Sequence, residues 1–112
     1  MNPTGPLERE LCMMIIECCS QERTYVKFYG LMAQRFCMLG THWQGHFTQL
    51  FSEQYENIHL LETNRIRNVT KFFAHLLSGD AIPWTVLECI KLNEVSFFIL
   101  FYFIFFPQKN RN

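Results

Sequence analysis

Apolar residues along this chain return every three or four positions, the spacing of one face of a helix. Leu7, Leu11, Met14, Ile15 and Cys18 make a first stripe. Pro6 falls near the first helical position, where a missing N–H costs nothing. Tyr25, Phe28, Tyr29, Met32, Phe36 and Leu39 make a second stripe. Gly40 then suits a left-handed helix stop, and Thr41 suits an N-cap. Trp43, Phe47, Leu50, Phe51, Tyr55 and Ile58 form the cleanest stripe, a third helix. Thr63 or Asn64 can cap a fourth, whose apolar face is Ile66, Val69, Phe73, Leu76 and Leu77. A Gly79-Asp80 stop follows, and Pro83 opens a fifth helix through Val86, Leu87 and Ile90.

No alternation of period two competes anywhere. The pattern predicts an all-α chain of about five helices followed by an apolar tail. Linkers are short, so neighbours should pack as antiparallel helical hairpins, stacked as in helical-repeat solenoids. Gly30 and Gly45 interrupt helices at a cost of about 1 kcal/mol each relative to alanine. Close helix–helix approach would account for them.

The tail departs from this logic. Phe97 to Phe106 reads FFILFYFIFF, ten apolar residues with no polar face, and it holds six of the twelve phenylalanines. A membrane-spanning helix needs about 20 apolar residues, and an amphipathic core helix shows a polar side. Val95-Ser96 is what GTAAGT encodes, the consensus start of an intron, and T-rich codons specify Phe, Leu, Ile and Tyr. Residues 95–112 are therefore expected to be an aberrant tail, from intron read-through or a gene-model artefact. Residues 1–6 are expected to be disordered, and 7–94 to form the helical domain. The competing reading is a small membrane-associated protein held by the tail, with Lys109 and Arg111 beside the bilayer.

Composition narrows the function. A chain of 112 residues makes one domain at most. Ten basic residues against ten acidic ones give a formal net charge of zero, so no bulk attraction to nucleic acid is expected. Cys12, Cys18, Cys19, Cys37 and Cys89 show no CxxC pair, which suits a reducing compartment and buried thiols. The first six residues have neither a basic nor an apolar block, so no signal peptide is expected. Asn68-Val69-Thr70 fits a glycosylation sequon but lies inside a predicted helix.

Candidate chemistry is sparse. Arg65, Arg67 and Lys71 lie off the apolar face at the start of the fourth helix, and 67 and 71 are neighbours one turn apart. They suit an acidic partner or RNA phosphate, against the plain alternative of a solvated face. His42 and His46 have a metal-compatible spacing but no third ligand nearby in sequence. Cys18 and Cys19 fall late in a helix, where the dipole disfavours thiolate, and read as core. Trp84 reads as an apolar anchor at a helix start, with an exposed partner contact near Asp80 and Trp84 as the alternative. No glycine-rich phosphate loop, Ser-His-Asp set or Cys-His set can be placed, so the chain reads as non-enzymatic, without cofactor, metal or small-molecule substrate.

Two long strings carry a family resemblance: ETNRIRNVTKFFAHLL followed by AIPWTVLECIKL, and ELCMMIIECCSQERTYVKFYGLMAQRFCML upstream. With the EQYENIHLLETN junction they resemble the C-terminal helical domain, of the MA-three type, of the nucampholin family. These are spliceosome-associated pre-mRNA splicing factors. The resemblance covers about Leu7 to Asn93 and stops where the unrelated tail begins, before the family's last helices. It implies a nuclear protein–protein interaction domain with spliceosomal partners and a role in exon junction complex assembly. In the family, recruitment of that complex's DEAD-box helicase is assigned to a preceding domain. It is therefore not expected from this chain alone.

Overall fold

The computed structural model describes residues 5–89. They form four α-helices: α1 (Gly5–Gln21), α2 (Lys27–Leu39), α3 (Thr41–Asn57) and α4 (Thr63–Ser78). Short 3₁₀ turns follow α3 at Ile58–Leu60 and lie at Trp84–Cys89. The all-α expectation holds, and no strand occurs among the described residues. α1 starts at Gly5, inside the segment expected to be disordered.

α4 is the centre of the fold. It packs on α1 and on α2, while α2 and α3 pack on each other. Its buried side chains, Asn68, Val69, Thr70, Phe72, Phe73, Ala74, Leu76 and Leu77, spread well beyond one stripe. A helix between two others must be covered on both sides. Phe72 and Phe73 stand at 89° with ring centroids 5.1 Å apart. Phe73 meets Phe51 edge-on at 5.1 Å, and Phe72 meets Phe47 at 6.0 Å. The α3 stripe points inward as expected, with Phe47, Leu50, Phe51 and Ile58 buried and Trp43 packed against them.

The first stripe is corrected. Leu7, Leu11, Met14 and Cys18 face outward, and the core residues of α1 are Cys12, Ile15, Ile16 and Cys19. α1 is apolar on two overlapping faces, so spacing alone cannot choose between them. On α2, Phe28 and Leu39 are exposed, and the inward side carries Gly30, Ala33 and Cys37. Small residues there let α4 come close. A Cβ on Gly30 would lie 2.7 Å from the Tyr25 hydroxyl and 2.9 Å from Cγ of His75. A Cβ on Gly45 would meet nothing within 4 Å. Gly30→Ala should therefore destabilise by about 1 kcal/mol or more, overpacking outweighing the gain in helix propensity. Gly45→Ala should stabilise by up to about 1 kcal/mol. Thermal melts of both variants check this; a shift of the same sign in both would overturn the close-approach explanation of Gly30.

The helix ends also differ from expectation. Gly40 is extended (φ 175°, ψ 158°), not left-handed, and itself stands before α3 in place of a Thr41 cap. Glu62, not Thr63 or Asn64, precedes α4, and no side chain caps that helix. The left-handed residue is Asp80, at φ 57°. Its N–H bonds to Leu77 C=O at 3.0 Å, and Ala81 N–H to Leu76 C=O at 2.8 Å, closing α4. Aspartate tolerates this backbone because its short polar side chain bonds locally. The predicted fifth helix is a 3₁₀ turn over Trp84–Cys89, with Val86 N–H on Pro83 C=O at 3.2 Å. Its predicted continuation to Ile90 lies outside the described residues, as does the Phe-rich tail 95–112.

Candidate partner-binding cleft

The loop between α1 and α2 is pinned to α4 by one side chain. Asn68 is fully buried, and its Nδ2 donates to Glu22 C=O at 2.7 Å and Ser20 C=O at 3.4 Å. Cys19 Sγ donates to the Asn68 carbonyl at 3.7 Å. The neighbouring Arg67 donates to the Arg23 carbonyl, to Asn64 Oδ1 at 3.3 Å and to Asn68 Oδ1 at 3.4 Å. With the loop held this way, Thr24, Tyr25 and Lys27 stand opposite Arg67 and Lys71. The five line an open cleft of about 440 Å³.

Three cations thus share one concavity. Among the described residues none of Lys27, Arg67 and Lys71 has a carboxylate at ion-pairing distance. The Lys71 ammonium is held below its ordinary pKa, first by burial and then by the charge of Arg67. His75, one turn further along α4, is lowered by burial and by Lys27. Its Nε2 donates to Gln34 Oε1 at 2.9 Å. Both shifts report a positive, partly desolvated neighbourhood.

The sequence-level trio is divided by the fold. Arg67 and Lys71 line the cleft, whereas Arg65 pairs with Glu17 at 3.4 Å. Arg67 is also not a free surface residue, since it holds the loop carbonyl. Lys27 completes the cluster. It is distant in sequence from α4, so no spacing rule could have found it. Asn68 was legible only as a sequon, yet its side chain is sealed inside the protein.

Asp80 and Trp84 form a second feature. Trp84 Nε1 donates to Asp80 Oδ1 at 3.3 Å, and the indole is 53% exposed. Trp84 is therefore not an anchor in the core; Ile82 and Val86 are buried there instead. The i,i+4 histidines meet one carboxylate. His42 Nε2 lies 3.4 Å from Glu8 Oε2, and His46 Nε2 lies 3.3 Å from Glu8 Oε1. Among the described residues no group of histidine, cysteine or acidic side chains is arranged to hold a metal ion. Cys19 is core as expected, but Cys18 is exposed. Burial pushes the thiols of Cys12 and Cys19 up to about 12 and that of Cys37 to about 11. Thiols so protonated are poor nucleophiles at neutral pH. Among the described residues no helix is long and apolar enough to cross a membrane.

These features define a compact helical module whose distinctive surface is a charged cleft. Residues 3–83 match the MA3 domain, and the chain belongs to that family. It is 60% identical over 86 residues to a protein named Pre-mRNA-splicing factor CWC22 homolog from Homo sapiens, covering 77% of this chain and 10% of that protein. The Drosophila melanogaster protein of the same name is 58% identical over 87 residues, covering 78% of this chain and 6% of its own length. The Schizosaccharomyces pombe protein Pre-mRNA-splicing factor cwf22 is 56% identical over 87 residues, covering 78% and 10%. The chain spans about a tenth or less of these curated relatives. The resemblance drawn from the two long strings holds: this is an MA3 domain of splicing-factor type.

Proposed function

We propose that this chain is a non-catalytic protein–protein interaction domain that works in the spliceosome, in the nucleus, and in assembly of the exon junction complex. The names of its relatives support the splicing role. The observation that carries the interaction reading is the cleft of Lys27, Arg67 and Lys71. Uncompensated cations facing one another repel, and a complementary acidic segment of a spliceosomal protein would relieve that repulsion. Asp80 and Trp84 offer a second contact, since an exposed indole held by a hydrogen bond loses little freedom on binding. Arg65, already paired with Glu17, contributes at the edge. Recruitment of the DEAD-box helicase is not assigned to this surface.

Charge reversal tests the reading. Lys27→Glu combined with Lys71→Glu should cut recovery of spliceosomal proteins from nuclease-treated nuclear extract while helix content stays unchanged. Reversal adds repulsion as well as removing attraction. The deficit should shrink as salt rises, because exposed charges are screened over about 10 Å at 0.1 M. Unchanged recovery at low salt would remove the cleft from consideration and leave Trp84 as the contact to test. A loss seen only without nuclease would show that the cations hold RNA phosphate instead.

A further inference from the structure

We propose that the Lys27–Arg67–Lys71 cleft receives a phosphomonoester, a phosphoserine or phosphothreonine side chain on the partner polypeptide. The proposal rests on the reading of the cleft as a contact surface and adds the chemistry of what enters it. Charge balance is the first argument. A carboxylate carries one negative charge and is satisfied by a single guanidinium fork. A phosphomonoester carries about −1.5 to −2 and three strong acceptor oxygens, which suits three cations converging from two elements.

Donor geometry is the second. Three of the five N–H groups of Arg67 are spent on Arg23, Asn64 and Asn68, which fixes the guanidinium plane and leaves two for a ligand. Neither Lys27 nor Lys71 has an ion-pair partner among the described residues. Thr24 adds a hydroxyl to the lining. α2 starts at the cleft, and Val26 before it provides no side-chain cap, so the first N–H groups of this 13-residue helix add to the positive field. Lys71 is held below its ordinary pKa by burial and by Arg67, a cost that a dianion in the cleft would reverse.

A nucleic-acid strand fits less well. It presents a phosphate at every nucleotide and needs a groove of cations that tracks it. Here the next cation on α4, Arg65, is occupied by Glu17, and the whole chain has no net charge. The cleft is a single isolated anion position.

The test is a titration of the isotopically labelled 112-residue chain, followed by amide NMR. The probes are a capped Gly-phosphoserine-Gly peptide, a capped Gly-Glu-Gly peptide and a ten-nucleotide uridine strand. Saturable shifts at Lys27, Phe28, Arg67 and Lys71 are expected with the phosphopeptide, at an affinity about tenfold above the glutamate peptide. Lys27→Glu, a change on an exposed side chain, should abolish them without altering the melt, and Lys27→Arg should retain them. Equal affinity for the glutamate peptide, tighter and steeply salt-dependent binding of the uridine strand, or no saturable shift would each overturn the proposal. Phosphatase treatment of the extract separates it from the broader reading. Recovery that depends on the cations but not on phosphatase keeps the cleft as a contact surface and removes the phosphate; recovery independent of the cations removes the cleft and the phosphate together and leaves Trp84 as the contact to test.

Discussion

Phe73→Ala should cost roughly 3–5 kcal/mol of stability, the usual range for deleting a buried aromatic ring. Phe73 is 2% exposed and stands edge-on to both Phe51 and Phe72. Its ring therefore links α3 to the middle of α4. At about 4–8 °C per kcal/mol for a domain of this size, the melting temperature should fall by well over 10 °C. A loss of this size approaches the whole stability of many small domains. Phe28→Ala makes the control, because that ring is 60% exposed and its loss should be nearly neutral. A Phe73→Ala protein melting within a degree of the parent would mean that the inward face of α4 has been misassigned.

Asn68→Leu should be the other severe substitution, although it keeps the number and branching of the side-chain heavy atoms. The change strips two buried donors from the carbonyls of Ser20 and Glu22 and an acceptor from Arg67. Leaving such groups unpaired costs about 1–3 kcal/mol each when water cannot reach them. The expected loss is therefore roughly 2–4 kcal/mol, less where the Glu22 carbonyl finds water. The effect should reach function too, because the loop that Asn68 pins carries Thr24 and Tyr25 and leads directly into Lys27 at the start of α2. Hydrogen exchange at residues 20–24 should quicken, and partner recovery should fall together with stability. Lys27→Glu offers the contrast, lowering recovery with the melt unchanged. Parent-like melting and unaltered exchange in Asn68→Leu would show that the loop is held by its own packing.

Much of the fold was legible because the α3 stripe is single and clean. Phe47, Leu50, Phe51 and Ile58 had no rival apolar face, so spacing gave their orientation directly. α1 failed this test. Leu7, Leu11 and Met14 interleave with Cys12, Ile15, Ile16 and Cys19, and both sets recur at helical spacing. Burying either would remove comparable apolar area from water, so the decision passed to the shape of α3 and α4. The helix ends differ from the spacing-based expectation for a related reason. Glycine and threonine suit helix ends by propensity, but a left-handed turn was needed where Ala81 had to bury beside Leu76, and Asp80 supplied it.

The candidate site divides along the same line. By itself the sequence determined that the chain is helical, that its family is MA3, and that Arg67 and Lys71 share a face one turn apart. These follow from local periodicity and from strings long enough to be specific. Only the tertiary structure decided that Arg65 leaves the group for Glu17 and that Lys27 joins it. Asn68 makes that meeting possible by tying the α1–α2 loop to α4 with two hydrogen bonds from its buried side chain. Periodicity records which residues share a face of one helix. It carries no information on which faces meet, because that depends on packing among elements far apart in the chain.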